Sequence, residues 1–103
     1  MQIVYLSSDQ ARITGPGVDA DAYCIDLGPA RLIFVRTSSG FVGCGFFDLA
    51  VFEKLGIPAA KVTGVSTVED LLRGLVSAAT PAAVLLGVTP GVRGEEAVRM
   101  LSR

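Results

Sequence analysis

Cys44 is the side chain in this sequence whose surroundings best suit chemistry. It lies between Gly43 and Gly45 in the segment Gly40–Asp48, which reads Gly-Phe-Val-Gly-Cys-Gly-Phe-Phe-Asp. The pattern predicts a strand that ends near the cysteine and a helix that begins directly after it. N–H groups at a helix start stabilise a thiolate, and flanking glycines let a ligand approach the backbone. Three interpretations are open: a packing residue, part of a small-anion site, or a nucleophilic or redox thiol.

Asp48 falls in the first turn of that predicted helix. Its carboxylate can accept hydrogen bonds from the free N–H groups of the helix start, or it can face a ligand. A carboxylate near Cys44 also opposes formation of a thiolate, because like charges disfavour each other. If the chain is an enzyme, Cys44 and Asp48 are its candidate catalytic residues.

A second candidate is the turn Gly91–Glu95, in which Gly91 and Gly94 enclose Arg93 just before a predicted helix. Successive backbone N–H groups in such a turn can form an anion-binding nest. The pattern is neither a phosphate-binding P-loop nor a dinucleotide fingerprint, and Glu95 repels an anion. The alternative is a loop that only closes on the next helix.

Lys61 and Gly64 complete the set of candidate binding residues. Lys61 is one of two lysines and lies in the predicted strand Ala59–Gly64, which Gly64 ends. A partly buried lysine can act as a nucleophile or bind a carboxylate, whereas a lysine on an edge strand is usually solvated.

The composition excludes several function classes. The chain has no histidine, which excludes Ser-His-Asp catalysis, Cys-His catalysis and histidine-based metal sites within one chain. It has two cysteines, too few for a four-cysteine metal site. We therefore predict no metal and no cofactor. The net charge of −1 and the absence of a basic run argue against nucleic-acid binding.

The predicted elements indicate an α+β fold in which a largely antiparallel, mixed sheet of five or six strands packs against three or four helices. Residues 1–103 are long enough for a single domain. The tight connection Ser38–Gly40 makes the strands on either side of it antiparallel. Candidate strands are Gln2–Ser7, Ala11–Gly17, Ala22–Leu27, Arg31–Thr37, Phe41–Gly45, Ala59–Gly64 and Leu75–Ala79. Candidate helices are Phe47–Leu55, Thr67–Arg73 with a Ser66–Glu69 capping box, Pro81–Leu86 after Thr80, and Glu95–Leu101.

Apolar residues exceed what a small core can bury. Hydrophobic residues make up 50% of the chain and charged residues 18%. A domain of this size has a high ratio of surface to volume, so we expect a homo-oligomer that buries the surplus. No stretch is long enough to span a membrane and no signal peptide is visible, so the expected location is the cytoplasm. Cys24 and Cys44 are then expected to be free thiols, and the pair Phe46–Phe47 to belong to the core.

Three ordered segments resemble the YunC-like family of small bacterial and archaeal proteins, a domain of unknown function. They are Gly40–Asp48 with its Cys-Gly-x-x-Asp element, Ala60–Leu72 with Gly-Val-Ser-Thr-Val-Glu-Asp-Leu-Leu, and Leu86–Ala97 with Leu-Gly and Gly-Val-Arg-Gly-Glu-Glu-Ala. The resemblance extends over about residues 22–101. Two residues depart from the family pattern. Val92 stands where a methionine is expected, and Phe47 stands where a smaller aliphatic residue is expected. The resemblance implies a compact α/β fold and no particular reaction.

The expected function is a homo-oligomeric protein that binds a small molecule or anion at the Gly43–Asp48 and Gly91–Glu95 turns. Two alternatives are open at this point. One is an enzyme that uses Cys44 as a nucleophilic or redox thiol, and the other is an interaction module without a ligand.

Overall fold

A computed structural model describes all 103 residues. The strands are β1 Gln2–Tyr5, β2 Gln10–Gly15, β3 Val18–Asp26, β4 Arg31–Arg36, β5 Phe41–Gly43, β6 Ala59–Lys61 and β7 Ala78–Ala79. The helices are α1 Leu49–Lys54, α2 Val68–Arg73, α3 Pro81–Leu85 and α4 Gly94–Leu101. No helix has both the length and the apolar character needed to cross a membrane.

The strands form one sheet in chain order, from β1 at one edge to β7 at the other. Strands β1 to β5 make an antiparallel meander, β5 and β6 are parallel, and β6 and β7 are antiparallel. The connection through α1 makes the parallel pair possible, since parallel strands need a crossover. The α+β class is confirmed. The sheet has seven strands rather than five or six, because all seven candidate segments contribute a strand to it. The seventh is only Ala78–Ala79, out of the predicted segment Leu75–Ala79.

One face of the sheet carries the core. The strand register aligns Ala11, Ala22, Val35 and Val42 in one row across four strands, and all four are fully or almost fully buried. Helices α2 and α4 pack against each other and over this face. Because side chains alternate along each strand, these apolar residues face the helices and the residues between them face the opposite side of the sheet.

The opposite face carries an aromatic cluster and an ion-pair network. Ring contacts join Tyr23, Phe34, Phe41, Phe47 and Phe52 in a continuous chain. Beside the cluster, Arg12 and Arg36 both donate to the carboxylate of Asp21. The hydrogen bond from Arg12 is the largest cause, and the one from Arg36 the second, that the pKa of Asp21 lies below its usual value. Phe47 belongs to this cluster, but Phe46 is 60% exposed, so the prediction that both rings lie in the core is wrong for Phe46.

The start of α2 differs by one residue from the predicted capping box. Thr67, not Ser66, is the N-cap and accepts a hydrogen bond from the Asp70 N–H at 3.0 Å. The Asp70 carboxylate in turn accepts from the Ser66 N–H at 3.1 Å. Glu69 is thereby free to accept a hydrogen bond from the hydroxyl of Tyr5, which ties α2 to β1. The predicted cap of α3 by Thr80 is confirmed.

Replacing Gly94 should destabilise the fold strongly. A Cβ at Gly94 would lie 1.9 Å from the carbonyl oxygen of Leu71, so α4 could not keep its present distance from α2. We expect Gly94→Ala to lower the free energy of unfolding by about 2 kcal/mol or more in urea denaturation. Gly45→Ala is the matched control, because its Cβ meets nothing closer than Thr63 at 3.6 Å. Equal stability of the two variants would contradict this packing.

Candidate functional site

The carboxyl ends of β5 and β6 enclose a cavity that contains part of the predicted site. Because these strands are parallel, Cys44 and Gly45 after β5 lie beside Gly64 after β6. The cavity has a volume of about 210 Å³. Its lining residues are Arg31, Cys44, Gly45, Phe46, Gly64 and Val65. Three of the six, Cys44, Gly45 and Gly64, were predicted from the sequence.

Cys44 forms the buried floor of this cavity. The residue is 3% exposed and belongs to the hydrophobic core. Its N–H donates to the carbonyl of Ile33 at 3.0 Å, and the Ile33 N–H donates to its Sγ at 3.5 Å. Cys44 therefore extends the β4–β5 ladder by one residue, and its thiol has little contact with solvent.

Arg31 was not among the predicted site residues. It begins β4, and its guanidinium donates to the carbonyl of Ser66 at 3.5 Å. No carboxylate lies within 4.0 Å of it, in contrast to Arg12 and Arg36. The signal that could have found it is the hairpin at Ser38–Gly40, since the register of that hairpin brings the start of β4 to the end of β5.

The backbone around the cavity contains free hydrogen-bond donors. The N–H groups of Gly45, Phe46, Gly64 and Val65 donate no hydrogen bond to any protein atom. All four residues line the cavity, and Arg31 is the one charged residue that does so. Four free donors and an unpaired guanidinium, with no acidic side chain in the lining, favour an anion over a cation.

Gly43 and Asp48 have structural partners in place of a ligand. A Cβ at Gly43 would lie 2.5 Å from the ring of Phe47 and 2.6 Å from that of Phe41, so the aromatic cluster requires a glycine here. Asp48 is the N-cap of α1, and its carboxylate accepts from the Ala50 N–H at 3.0 Å. The helix begins at Leu49 rather than directly after Gly45, because the Gly45–Phe46 turn intervenes.

Lys61 and the Gly91–Glu95 turn do not line this cavity. Lys61 pairs with Gly43 and Ala78, so its strand lies inside the sheet and not at an edge. Its side chain has no carboxylate within 4.0 Å, in contrast to that of Arg93, which lies 3.8 Å from Glu95. Gly94 packs against the backbone of α2. The two turns that were predicted to form one site therefore do not line the same cavity.

Glu95 lines a second cavity, between β1, α2 and the start of α4. It has a volume of about 190 Å³. Its lining residues are Met1, Ile3, Glu69, Leu72, Arg73 and Glu95. This lining contains two carboxylates, whereas the first cavity contains none, so it is the poorer site for an anion. No group of three or more histidine, cysteine, aspartate or glutamate side chains is close enough to hold a metal ion.

Comparison with known proteins agrees with the resemblance found in the sequence. The family described as a domain of unknown function, DUF1805, matches residues 43–101. The chain is 35% identical over 81 residues to the uncharacterized protein YunC of Bacillus subtilis strain 168, covering 75% of this chain and 80% of that protein. The crystal structure of a protein of unknown function, TA1206 from Thermoplasma acidophilum, is similar with a TM-score of 0.85. It is 29% identical, with 94% of this chain and 98% of that chain covered.

The two thiols should differ in their rates of alkylation. Cys24 is half-buried and Cys44 is buried, and both are free. We expect iodoacetamide to modify Cys24 in the native protein and Cys44 only after unfolding, as measured by peptide mass spectrometry over a range of pH. Native modification of Cys44 as fast as that of Cys24 would contradict its placement as a packing residue.

The phenol of Tyr5 should titrate late. Its hydrogen bond to Glu69, and then its partial burial, raise the pKa of Tyr5 from 10.0 to about 12. A raised pKa means that the bond stabilises the fold below pH 10, and that this contribution is lost as the pH rises from about 10 to about 12.

Absorbance titration of a Tyr23→Phe variant measures this directly, since Tyr5 is then the only tyrosine. Adding Glu69→Gln should bring the midpoint back toward 10, the ordinary value for tyrosine. A midpoint that is the same with and without Glu69 would show that the bond does not form in solution.

Proposed function

Since the chain belongs to the DUF1805 family, whose description assigns no reaction, we propose a function from the cavity beside β5 and β6: the protein binds a small organic anion there. The observation that carries the proposal is the combination of donors around this cavity. The guanidinium of Arg31 has no carboxylate within 4.0 Å, and the backbone N–H groups of four lining residues have no acceptor in the protein.

The position of the cavity supports the same function. In open α/β sheets, ligands bind outside the carboxyl ends of strands, where neighbouring connections diverge. Strands β5 and β6 are the one parallel pair in this sheet, and the chain leaves them toward α1 and α2. The cavity lies where these two connections diverge, at the end of the sheet where both β5 and β6 end.

The walls suggest the chemical class of the ligand. Phe46 and Val65 present apolar surface, while Arg31 supplies the charge. A volume of about 210 Å³ accommodates a short carboxylic acid and is small for a nucleotide. A carboxylate can accept two parallel hydrogen bonds from a guanidinium, which favours it over a halide. Short-chain carboxylates are therefore the proposed ligand class.

A reaction at Cys44 is the alternative function of the same cavity. Two observations favour it: Cys44 lines the cavity, and the Ile33 N–H donates to its Sγ at 3.5 Å. Its 3% exposure opposes it, because a nucleophile must reach its substrate. A cytoplasmic location is part of the proposal, and the two free thiols support it.

Binding can be tested with butyrate, and with inorganic phosphate as a probe of charge alone. We expect butyrate to raise the Tm of the native protein, and Arg31→Gln to weaken its affinity at least about tenfold, since a hydrogen bond to a charged group contributes about 1.5–3 kcal/mol. Lys54→Gln is the control, because it removes the same charge from an exposed position on α1 that forms no ion pair.

No binding of butyrate or phosphate by the native protein would remove the proposed function and favour an interaction module without a ligand. Equal weakening by Arg31→Gln and Lys54→Gln would show that the anion responds to net charge and does not occupy this cavity.

A further inference from the structure

The free edge of the sheet carries an inference that is independent of the cavity. Of the two edges, β7 has two residues and continues directly into Thr80 and α3. The other edge, β1, is unpaired along its whole outer side. We propose that β1 pairs antiparallel with β1 of a second copy of this chain about a two-fold axis at Val4, which joins the two sheets into one.

The hydrogen bonds of the β1–β2 hairpin identify the groups that point outward. The Leu6 N–H donates to the carbonyl of Gln10 at 2.9 Å, so Leu6 and Gln10 are a hydrogen-bonded pair. Such pairs alternate along antiparallel strands. Gln2 and Val4 therefore also bond to β2, and the N–H and C=O groups of Ile3 and Tyr5 face away from the sheet.

The pairing between β2 and β3 supports this assignment independently. The Cys24 N–H donates to the carbonyl of Asp9 at 2.8 Å. By alternation, the odd-numbered residues of β2, such as Ala11, bond to β3, and the even-numbered ones, such as Arg12, bond to β1. Arg12 is the register partner of Val4, which agrees with the inward direction of the Val4 backbone groups.

The outward groups are complementary to those of a second copy. In the proposed pairing, Ile3 exchanges two hydrogen bonds with the partner's Tyr5, and Tyr5 exchanges two with the partner's Ile3. Val4 and the partner's Val4 then form a non-hydrogen-bonded pair at the axis, with Cα atoms about 4.5 Å apart. The axis is perpendicular to the sheet, so α2 and α4 of both copies lie on the same face.

The side chains of this segment favour an identical strand as the occupant. Residues 1–8 include no charged side chain, no proline and no glycine, although natural edge strands usually carry lysine, proline or a bulge that prevents pairing. Val4 is 44% exposed and Tyr5 53%. Two copies of a neutral strand do not repel each other across a two-fold axis, and their pairing covers these apolar side chains. This would also bury part of the apolar surplus of the composition.

Cross-linking tests the register. We expect Val4→Cys, in a Cys24→Ser background, to give a disulfide-linked dimer under mild oxidation, because the Cα separation of the axial pair suits a disulfide. Gln2→Cys is the control: it lies on the same face of the same strand but faces the partner's Leu6, so it should stay uncross-linked.

Mass in solution tests the interface itself. Light scattering should give the native protein twice the 10.7 kDa of one chain. Val4→Asp, which places two carboxylates at the axis, should give single chains with unchanged circular dichroism. Val51→Asp should keep the dimer, because Val51 is 53% exposed on α1, away from β1.

Two results would overturn the proposal. One is a native protein of single-chain mass at every concentration that its solubility allows. The other is a dimer that survives Val4→Asp and in which Val4→Cys does not cross-link, since that dimer would use a different surface. Neither result bears on anion binding, which is measured at Arg31.

Discussion

The parallel pairing of β5 with β6 is the constraint on which the arrangement of this molecule depends. All other neighbouring strands are antiparallel, so their ends alternate between the two ends of the sheet. The crossover through α1 returns the chain to the end of the sheet where β5 starts, so β6 runs in the same direction as β5. Only this pairing brings the segments after Gly43 and Lys61 to one place. Without it, the glycines at positions 45 and 64 would lie at opposite ends of the sheet.

Close backbone contacts hold this arrangement and explain several of its glycines. The carbonyl of Pro58 accepts a hydrogen bond from the Phe41 N–H at 3.0 Å, and a Cβ at Gly40 would lie 2.1 Å from the same oxygen. The start of β6 is thereby fixed against the start of β5. On the other side of the sheet, α4 ends beside the β4–β5 turn, where the Ser39 N–H donates to the carbonyl of Leu101 at 2.9 Å. These contacts lie at the amino ends of β5 and β6, at the end of the sheet opposite the cavity, and they fix the two strands relative to each other.

Most of the elements followed from local patterns. The hairpin at Ser38–Gly40, the cap at Thr80 and the helix that ends at Leu101 are determined by residues close in sequence, and the structure confirms them. The cap of α2 was misplaced by one residue, because Ser66 and Thr67 are both good N-caps. In the structure Thr67 is the N-cap, and Glu69 bonds with Tyr5 and not with the start of the helix.

The candidate site was only partly predictable, for reasons of distance along the chain. Cys44, Gly45 and Gly64 could be identified from strand ends and glycines, and they do meet. The β4–β5 hairpin places Arg31 at this end of the sheet, but its position in the cavity also depends on the loop after β6, where the Ser66 carbonyl accepts a hydrogen bond from its guanidinium. The Gly91 turn resembles the others in sequence, but it closes on α2 and the second cavity. Local patterns do not determine which turns share an end of the sheet.

The most direct test is a two-dimensional ¹⁵N NMR titration of the native protein with butyrate. Binding at the proposed cavity predicts saturable shifts at the amides of Gly45, Phe46, Gly64 and Val65, with Gly91 and Gly94 unaffected. Those four N–H groups have no acceptor in the protein, so an anion should change their environment most. Shifts centred on the Gly91–Glu95 turn, or no saturable shifts at all, would contradict the placement of a binding site at the ends of β5 and β6.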